Sequence, residues 1–223
     1  MHIPIDKLVR SRRRTIGMII MPDGTLVVRA PLRASLRLIR QTVEKHAQWI
    51  LKHKQKALEN SLKSPPRSYL PGEKFLYLGQ EYELVNGQNA DKTLTFDGTR
   101  FVLGTRVVNT RETFRYWYKR EAIRILNERI KLYAKRMGID YSNLRITGAE
   151  RRWGSCSPSG NICFSLRLVM APLPVIDYVV VHELVHIREK NHSTRFWDRV
   201  KAIIPDYKDH KAWLRKNQHL LSL

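Results

Sequence analysis

The sequence predicts an α+β chain, and three observations carry that expectation. Short β-prone runs separated by turn dipeptides occupy much of residues 15–103. One amphipathic run then extends from Thr110 to Met137 without a proline or glycine. Beyond it an apolar stretch leads into His182-Glu183-Leu184-Val185-His186, where both histidines can face one point only if the segment is helical. With 223 residues, 43% of them hydrophobic, the chain can bury a core and form one or two domains.

Taken in order, residues 15–20 and 25–29 read as two strands joined by Met21-Pro22-Asp23-Gly24. Ser35 reads as the N-cap of a helix over 35–58, because Leu36, Ile39, Val43, Ala47 and Ile50 recur at three- and four-residue intervals. Residues 61–71 form a Ser/Pro-rich connection. Two hairpins follow, 74–78 with 81–85 around Gly79-Gln80, and 93–96 with 100–103 around Asp97-Gly98. The helix of 110–137 buries Phe114, Trp117, Tyr118, Ala122, Ile125, Leu126, Ile130 and Tyr133, and Gly138 stops it. Strands are expected at 144–147, 151–155 and 162–169, the last two joined by a turn over 157–161. Val179-Val180-Val181 favours a strand by propensity, but the histidine spacing overrides it and predicts a helix starting near Pro174. Asn191 ends that helix and turns the chain, and helices follow over 194–204 and 208–220. The change of character near residue 105 divides the chain into a basic α+β region, 1–105, and a second region, 106–223.

Lys and Arg number 41 against 20 Asp and Glu, a formal charge of +21. Residues 1–60 alone hold 13 basic and 4 acidic side chains. Such an excess attracts polyanions, so Arg10, Arg12, Arg13, Arg14, Arg33, Arg37 and Arg40 form a candidate nucleic-acid face, with a merely solubilising surface as the alternative. Two cysteines, Cys156 and Cys163, give no disulfide framework, although they flank a turn and can be imagined facing each other. The longest apolar region, 168–181, is broken by Pro172, Pro174 and Asp177, so no membrane span is expected. No signal peptide is visible, and the expected location is the cytoplasm. Oligomeric state has no signature in the sequence.

His182 and His186 lie on one helical face and can grip a single ion, while Glu183, turned by about 100°, can act on a water as general base. His192, after five intervening residues, completes three ligands with one position open, the catalytic arrangement for zinc. One Zn2+ per chain is the expected cofactor, and another divalent metal fits the same donors.

The residues Arg152-Trp153-Gly154-Ser155-Cys156-Ser157, Arg167-Leu168-Val169-Met170-Ala171-Pro172, Val175 through His186, Asn191-His192-Ser193 and Phe196-Trp197 resemble the YgjP-like metal-dependent hydrolases, a family related to the SprT-like and WLM metallopeptidases. The resemblance reaches upstream to Pro22-Asp23-Gly24, Ala30-Pro31, Trp49-Ile50, Pro71-Gly72-Glu73 and Tyr77-Leu78-Gly79, and so covers nearly the whole chain. It implies a zincin-like catalytic domain, with His182, His186 and His192 as metal ligands and Glu183 as catalytic acid/base. An edge strand beside the cleft is implied too, for which the hairpin from Trp153-Gly154-Ser155 to Leu168 is the candidate. A metzincin shares the ligand spacing but needs Gly where Glu189 stands and a methionine turn after the third histidine. No methionine follows Met170.

Arg151 and Arg152 can clamp an anionic group or stabilise an oxyanion, or form a solvated pair. Tyr178 shares the face of His182 and either lines the site or packs in the core. Asp177, Asp198, Asp206 and Asp209 are candidate partners for ligand imidazoles. Phe196 and Trp197 read as core. No strained elbow surrounds Ser155 or Cys156, which argues against a covalent mechanism. The leading expectation is a zinc-dependent hydrolase of peptides. Hydrolysis of a nucleoside triphosphate at its pyrophosphate linkage is the enzymatic alternative, and a nucleic-acid-associated protein with a structural metal is the non-enzymatic one. A protease acting on DNA-bound proteins joins the two.

Overall fold

The computed structural model describes residues 3–21, 23–63, 67–88 and 93–223; Pro22 of the expected turn and residues 64–66 of the expected connection lie outside the described residues. The chain forms two compact units, Met1–Pro66 and Arg67–Leu223.

In the first unit, alternation places Leu26, Val28 and Ala30 on one buried face of β3 (Leu26–Pro31). This strand is central, antiparallel to β2 (Gly17–Ile20) and parallel to β1 (Lys7–Ser11). Strand β1 was not expected. Its short, charge-flanked run carries little β signal, and β3 recruits it by backbone pairing. Ser35 caps α1 (Leu36–Lys45), its hydroxyl accepting from the Leu38 N–H at 3.2 Å. The single helix expected over 35–58 is two helices, because α1 ends at His46 and α2 (Ala47–Lys63) follows. The His46 N–H reaches back only to Val43 O, at 3.1 Å, and φ −106°, ψ 19° takes it out of the helix. Ile39, Val43 and Ile50 nevertheless face the sheet core as expected.

In the second unit, β4 (Lys74–Tyr77) and β5 (Gln80–Asn86) form the expected hairpin, as do β6 (Leu94–Phe96) and β7 (Phe101–Leu103). Parallel pairing of β5 with β7 joins them into one sheet, β4-β5-β7-β6. Its inner face carries Phe75 and Phe101 against Phe114 and Trp117 of α3 (Thr110–Met137), with Phe75 stacked on Phe114 at 4.0 Å and Phe101 edge-on to Trp117 at 4.8 Å. That shared core is why the division falls at 66/67 and not near residue 105: these hairpins belong with the long helix. Asn109 caps α3, and Gly138 ends it in the left-handed region at φ 58°.

A second small mixed sheet has the order β8-β10-β9, with β8 (Asn143–Thr147) parallel and β9 (Gly154–Cys156) antiparallel to the central β10 (Asn161–Ser165). The strand expected over 162–169 stops at Ser165, and Leu166–Met170 is a 3₁₀ turn. There the β4–β5 turn docks, Leu78 N–H on Val169 O at 2.9 Å and Gly79 N–H on Met170 O at 3.0 Å. Only glycine fits: φ is +84°, and a Cβ would lie 2.7 Å from Pro172 Cγ.

Pro172 and Pro174 open α4 (Leu173–Arg188), which is helical through Val179-Val180-Val181 despite their β propensity. It is apolar nearly all round, and α3, α5 (Thr194–Ile203), α6 (Tyr207–Asn217) and β9 pack on it. Asp177, a candidate partner for the imidazoles, instead takes both oxygens to Arg129 of α3, at 2.6 Å from Nε and 2.7 Å from Nη2. Among the described residues no helix is long and apolar enough to cross a membrane.

Asp177→Asn keeps the volume of that side chain and removes the charge that the largely buried Arg129 guanidinium needs. It is expected to cost about 2–3 kcal/mol of unfolding free energy, measured by urea denaturation at neutral pH. An unchanged midpoint and slope would show that water or Glu128 takes over the guanidinium.

Candidate metal centre

Helix α4 presents His182 and His186 on one face, and the loop after it returns His192 to them. Asn191 shapes that return, its side-chain oxygen accepting from the Ser193 N–H at 3.2 Å before α5 starts. The three rings sit 4.8–5.0 Å apart by centroid, and each offers a nitrogen within 4.8 Å of the other two. His182 Nε2 and His192 Nε2 approach to 3.1 Å. His186 Nδ1 is held at 3.0 Å from Glu189 O, so its tautomer is set by a backbone carbonyl rather than by any of the aspartates considered above.

Phe196 lies beneath all three rings, with centroids 4.9, 4.6 and 4.7 Å from His182, His186 and His192, and is fully buried. Trp197 stacks on His192 at 5.6 Å. Phe196 is core, as expected, while Trp197 is half-buried against that core, and together they form the floor that holds the imidazoles. Phe196 lies in the first turn of α5, four residues after His192.

The donor set suits a divalent ion. Burial, and then the neighbouring His186, His192 and Lys211, push His182 down to about 3, and burial also lowers His186. Imidazoles kept neutral are ligands rather than cations. Two imidazole nitrogens facing each other across 3.1 Å repel unless a proton or cation lies between them. His182 Nδ1 is buried with no hydrogen-bond partner among the described residues.

Glu183 is the buried carboxyl beside this cluster, 6% exposed. Burial drives it up to about 8, and Arg152 opposes that shift; a cation among the imidazoles opposes it as well. The carboxyl fits because β9 passes over it at a glycine. A Cβ on Gly154 would lie 2.5 Å from Glu183 Oε1 and 2.6 Å from its Cγ. Gly154, Ser155 and Cys156 line one cleft with His182, Glu183, His186 and His192. Trp153 and Tyr178 line an adjoining one. Tyr178 is thus both core and wall, 5% exposed with its ring 5.9 Å from His182. Trp153 is covered by the Arg167 guanidinium, 5.1 Å from its ring. Arg167 also donates to Leu221 O at 2.9 Å and to Glu150 O, tying the C-terminal segment to the strand.

The two cysteines do not face each other. Cys156 pairs with Ile162 and Cys163 with Ser155, so they project from opposite faces of the sheet, and both are free. Burial raises the Cys156 thiol, which disfavours a reactive thiolate.

Gly154→Ala is expected to destabilise the chain by about 1–3 kcal/mol in denaturant unfolding, since either Glu183 or β9 must move. Gly148→Ala, whose added methyl comes no nearer than 3.4 Å to an Arg115 nitrogen, is the control and is expected to change stability far less. Equal effects would remove the close approach as a constraint.

None of the curated proteins matches this chain. A crystal structure of the metallopeptidase zymogen of Pyrococcus abyssi abylysin is similar over 42% of this chain and 95% of that one, with 20% identity and a TM-score of 0.39. The family described as YgjP-like, metallopeptidase domain matches residues 14–217. With the match running through the basic unit, the long helix and the histidine cluster alike, the chain belongs to the YgjP-like family and has the metal-dependent, peptidase-like role of that domain.

Proposed function

We propose that the chain is a zinc-dependent peptide hydrolase in which His182, His186 and His192 hold the ion and Glu183 is the general base. The observation that carries this is the meeting of three imidazole nitrogens with one buried carboxyl in a cleft bordered by an edge strand. When bound there, zinc supplies Lewis acidity toward the scissile carbonyl and toward water. Glu183 takes a proton from the attacking water at its carboxylate and returns it to the departing amine. Arg152 draws the Glu183 carboxyl toward its ionised form, the form that can accept the proton. Strand β9 is an edge of its sheet, so its outer backbone groups can pair with an extended peptide and lay the scissile bond along the cleft.

The test loads the full chain with zinc and offers casein and a panel of nucleoside triphosphates. Casein cleavage is expected. Glu183→Gln should keep its metal and lose about 10²–10⁴-fold in turnover, and His192→Ala should lower zinc content measured by elemental analysis. Triphosphate hydrolysis abolished by Glu183→Gln, with casein untouched, would replace the peptidase reading with the nucleotide one. Full metal content in His192→Ala would remove the third ligand.

A second reading concerns the first unit. Arg12, Arg14, Arg33, Arg37 and Arg40 are exposed, and on α2 Trp49 stacks on His53 at 4.2 Å between the exposed Lys52 and Lys56. Cations around an open aromatic stack suit single-stranded nucleic acid. Arg10 contributes less than its sequence position suggested, because its guanidinium holds the carbonyls of Pro31, Leu32 and Ala34 at 2.7–3.2 Å. Affinity for a single-stranded oligonucleotide should fall with salt, log K against log[salt] sloping by about −0.7 per phosphate neutralised. Arg12→Glu with Arg14→Glu should flatten that slope, and Trp49→Ala should weaken binding at every salt concentration. No binding at 50 mM salt would leave the charge as a solubilising surface.

A further inference from the structure

Beyond the histidine cluster, on the side away from Lys190 and His192, the cleft continues as a cavity of about 330 Å³ between α4 and α6. Its walls are apolar: Trp153 before β9, Tyr178 and Val179 on α4, and Leu214 on α6. Helix geometry determines what closes the other side. Lys211, Leu214, Arg215 and Gln218 follow one another at i, i+3, i+4 and i+7, so α6 and its C-cap lay a single face along the cavity. Leu214 is buried at its base, and the exposed Lys211 and Arg215 stand on either side of it.

The charge there is uncompensated. Neither Lys211 nor Arg215 takes part in a salt bridge among the described residues. Lys211 is held instead over the face of Trp197, its nitrogen 4.3 Å from the ring centroid. Because Trp197 also stacks on His192, that contact anchors a cation beside the imidazoles rather than letting it swing into solvent. Among the described residues, the only acidic side chain lining the cavity is Glu183, the proposed general base. An apolar slot next to the reacting carboxyl, rimmed by two unpaired cations, matches a group with a short hydrocarbon stem and an anionic end.

We propose that this cavity is a carboxylate-recognition subsite of the peptide substrate, with Lys211 and Arg215 as its specificity-determining residues; the proposal rests on the peptidase reading above. The carboxylate has two sources. An internal Asp or Glu would bury its methylenes against Leu214 and Trp153 and give its oxygens to the two cations. A free C-terminus would bring its α-carboxylate to the same place. A lysine or arginine in this position meets two like charges, and an amide loses the charge-assisted bonds.

The experiment uses the zinc-loaded full chain and a peptide cut from casein as the parent. Peptides carry Glu, Gln or Lys at each position within three residues of the cleaved bond, each with a free or amidated C-terminus. One arm is expected to show kcat/KM at least about fivefold higher for Glu than for Gln, or for the free than for the amidated end, the scale of one partly screened ion pair. Lys211→Gln with Arg215→Gln should bring that ratio to about one, and Lys211→Glu with Arg215→Glu should invert it in favour of Lys. A second readout needs no turnover: labelled Glu and Gln peptides binding to Glu183→Gln, followed by anisotropy, should show the same discrimination, shrinking as salt rises. Cleavage with ratios near one at every position and at both termini would overturn the subsite and leave the peptidase reading standing. So would a Glu preference that survives the double charge reversal. If no peptide is cut at all, the peptidase reading itself falls and takes the subsite with it.

Discussion

Helix α4 is buried on nearly every side, and the rest of the second unit is arranged around what that burial demands. An apolar helix in such a place needs no explanation beyond the hydrophobic effect. Two carboxyls on it do, because an unpaired buried charge costs several kcal/mol. Asp177 is answered by Arg129, which ties α4 to the long helix α3. Glu183 is answered differently: among the described residues no guanidinium pairs with it directly, a glycine strand passes over it, and burial leaves it reluctant to ionise. One carboxyl is neutralised and spent on the fold. The other is kept poised, and it is the one beside the histidines.

That contrast explains much of what could be read from the sequence. The α4 helix and its histidine pair were legible because ligand spacing is a stronger statement than the β propensity of three valines. The α3 helix was legible because its apolar stripe is long and its caps, Asn109 and Gly138, are strong. Phe196 was readable only as core, since nothing local says that a buried ring will lie under three imidazoles from two different segments. The choice among four aspartates was unreadable for the same reason: Arg129 is 48 residues from Asp177 in the chain.

Where local signals misled, a competing contact can be named. His46 breaks the helix that periodicity carries straight through, since both halves keep their apolar residues toward the same sheet. The β10 strand stops at Ser165 because the backbone beyond it is taken by the β4–β5 turn at Val169 and Met170. The change of character near residue 105 was real in composition, yet the aromatic residues on β4 and β7 had already committed those strands to the core of α3. A shift in sequence style and a boundary in packing are different things, and only the second is set by which side chains bury one another.

The cationic surroundings of the cleft also bear on the imidazoles themselves. A positive charge near a histidine makes its protonated form costlier, so Lys211 beside His182 works with burial to keep that ring neutral. Swung toward α4, the same lysine would also compete for the Glu183 carboxylate. Its position over Trp197 separates these effects. The ammonium is near enough for its field to reach His182 and fixed enough to leave Glu183 to the glycine strand above it. The aromatic pair of α5 thus does three things with two residues: Phe196 supports the rings from below, Trp197 stacks on His192, and the same indole holds the cation in place. A helix that the sequence marks only as amphipathic core is therefore part of what holds the cluster's geometry and buries His182.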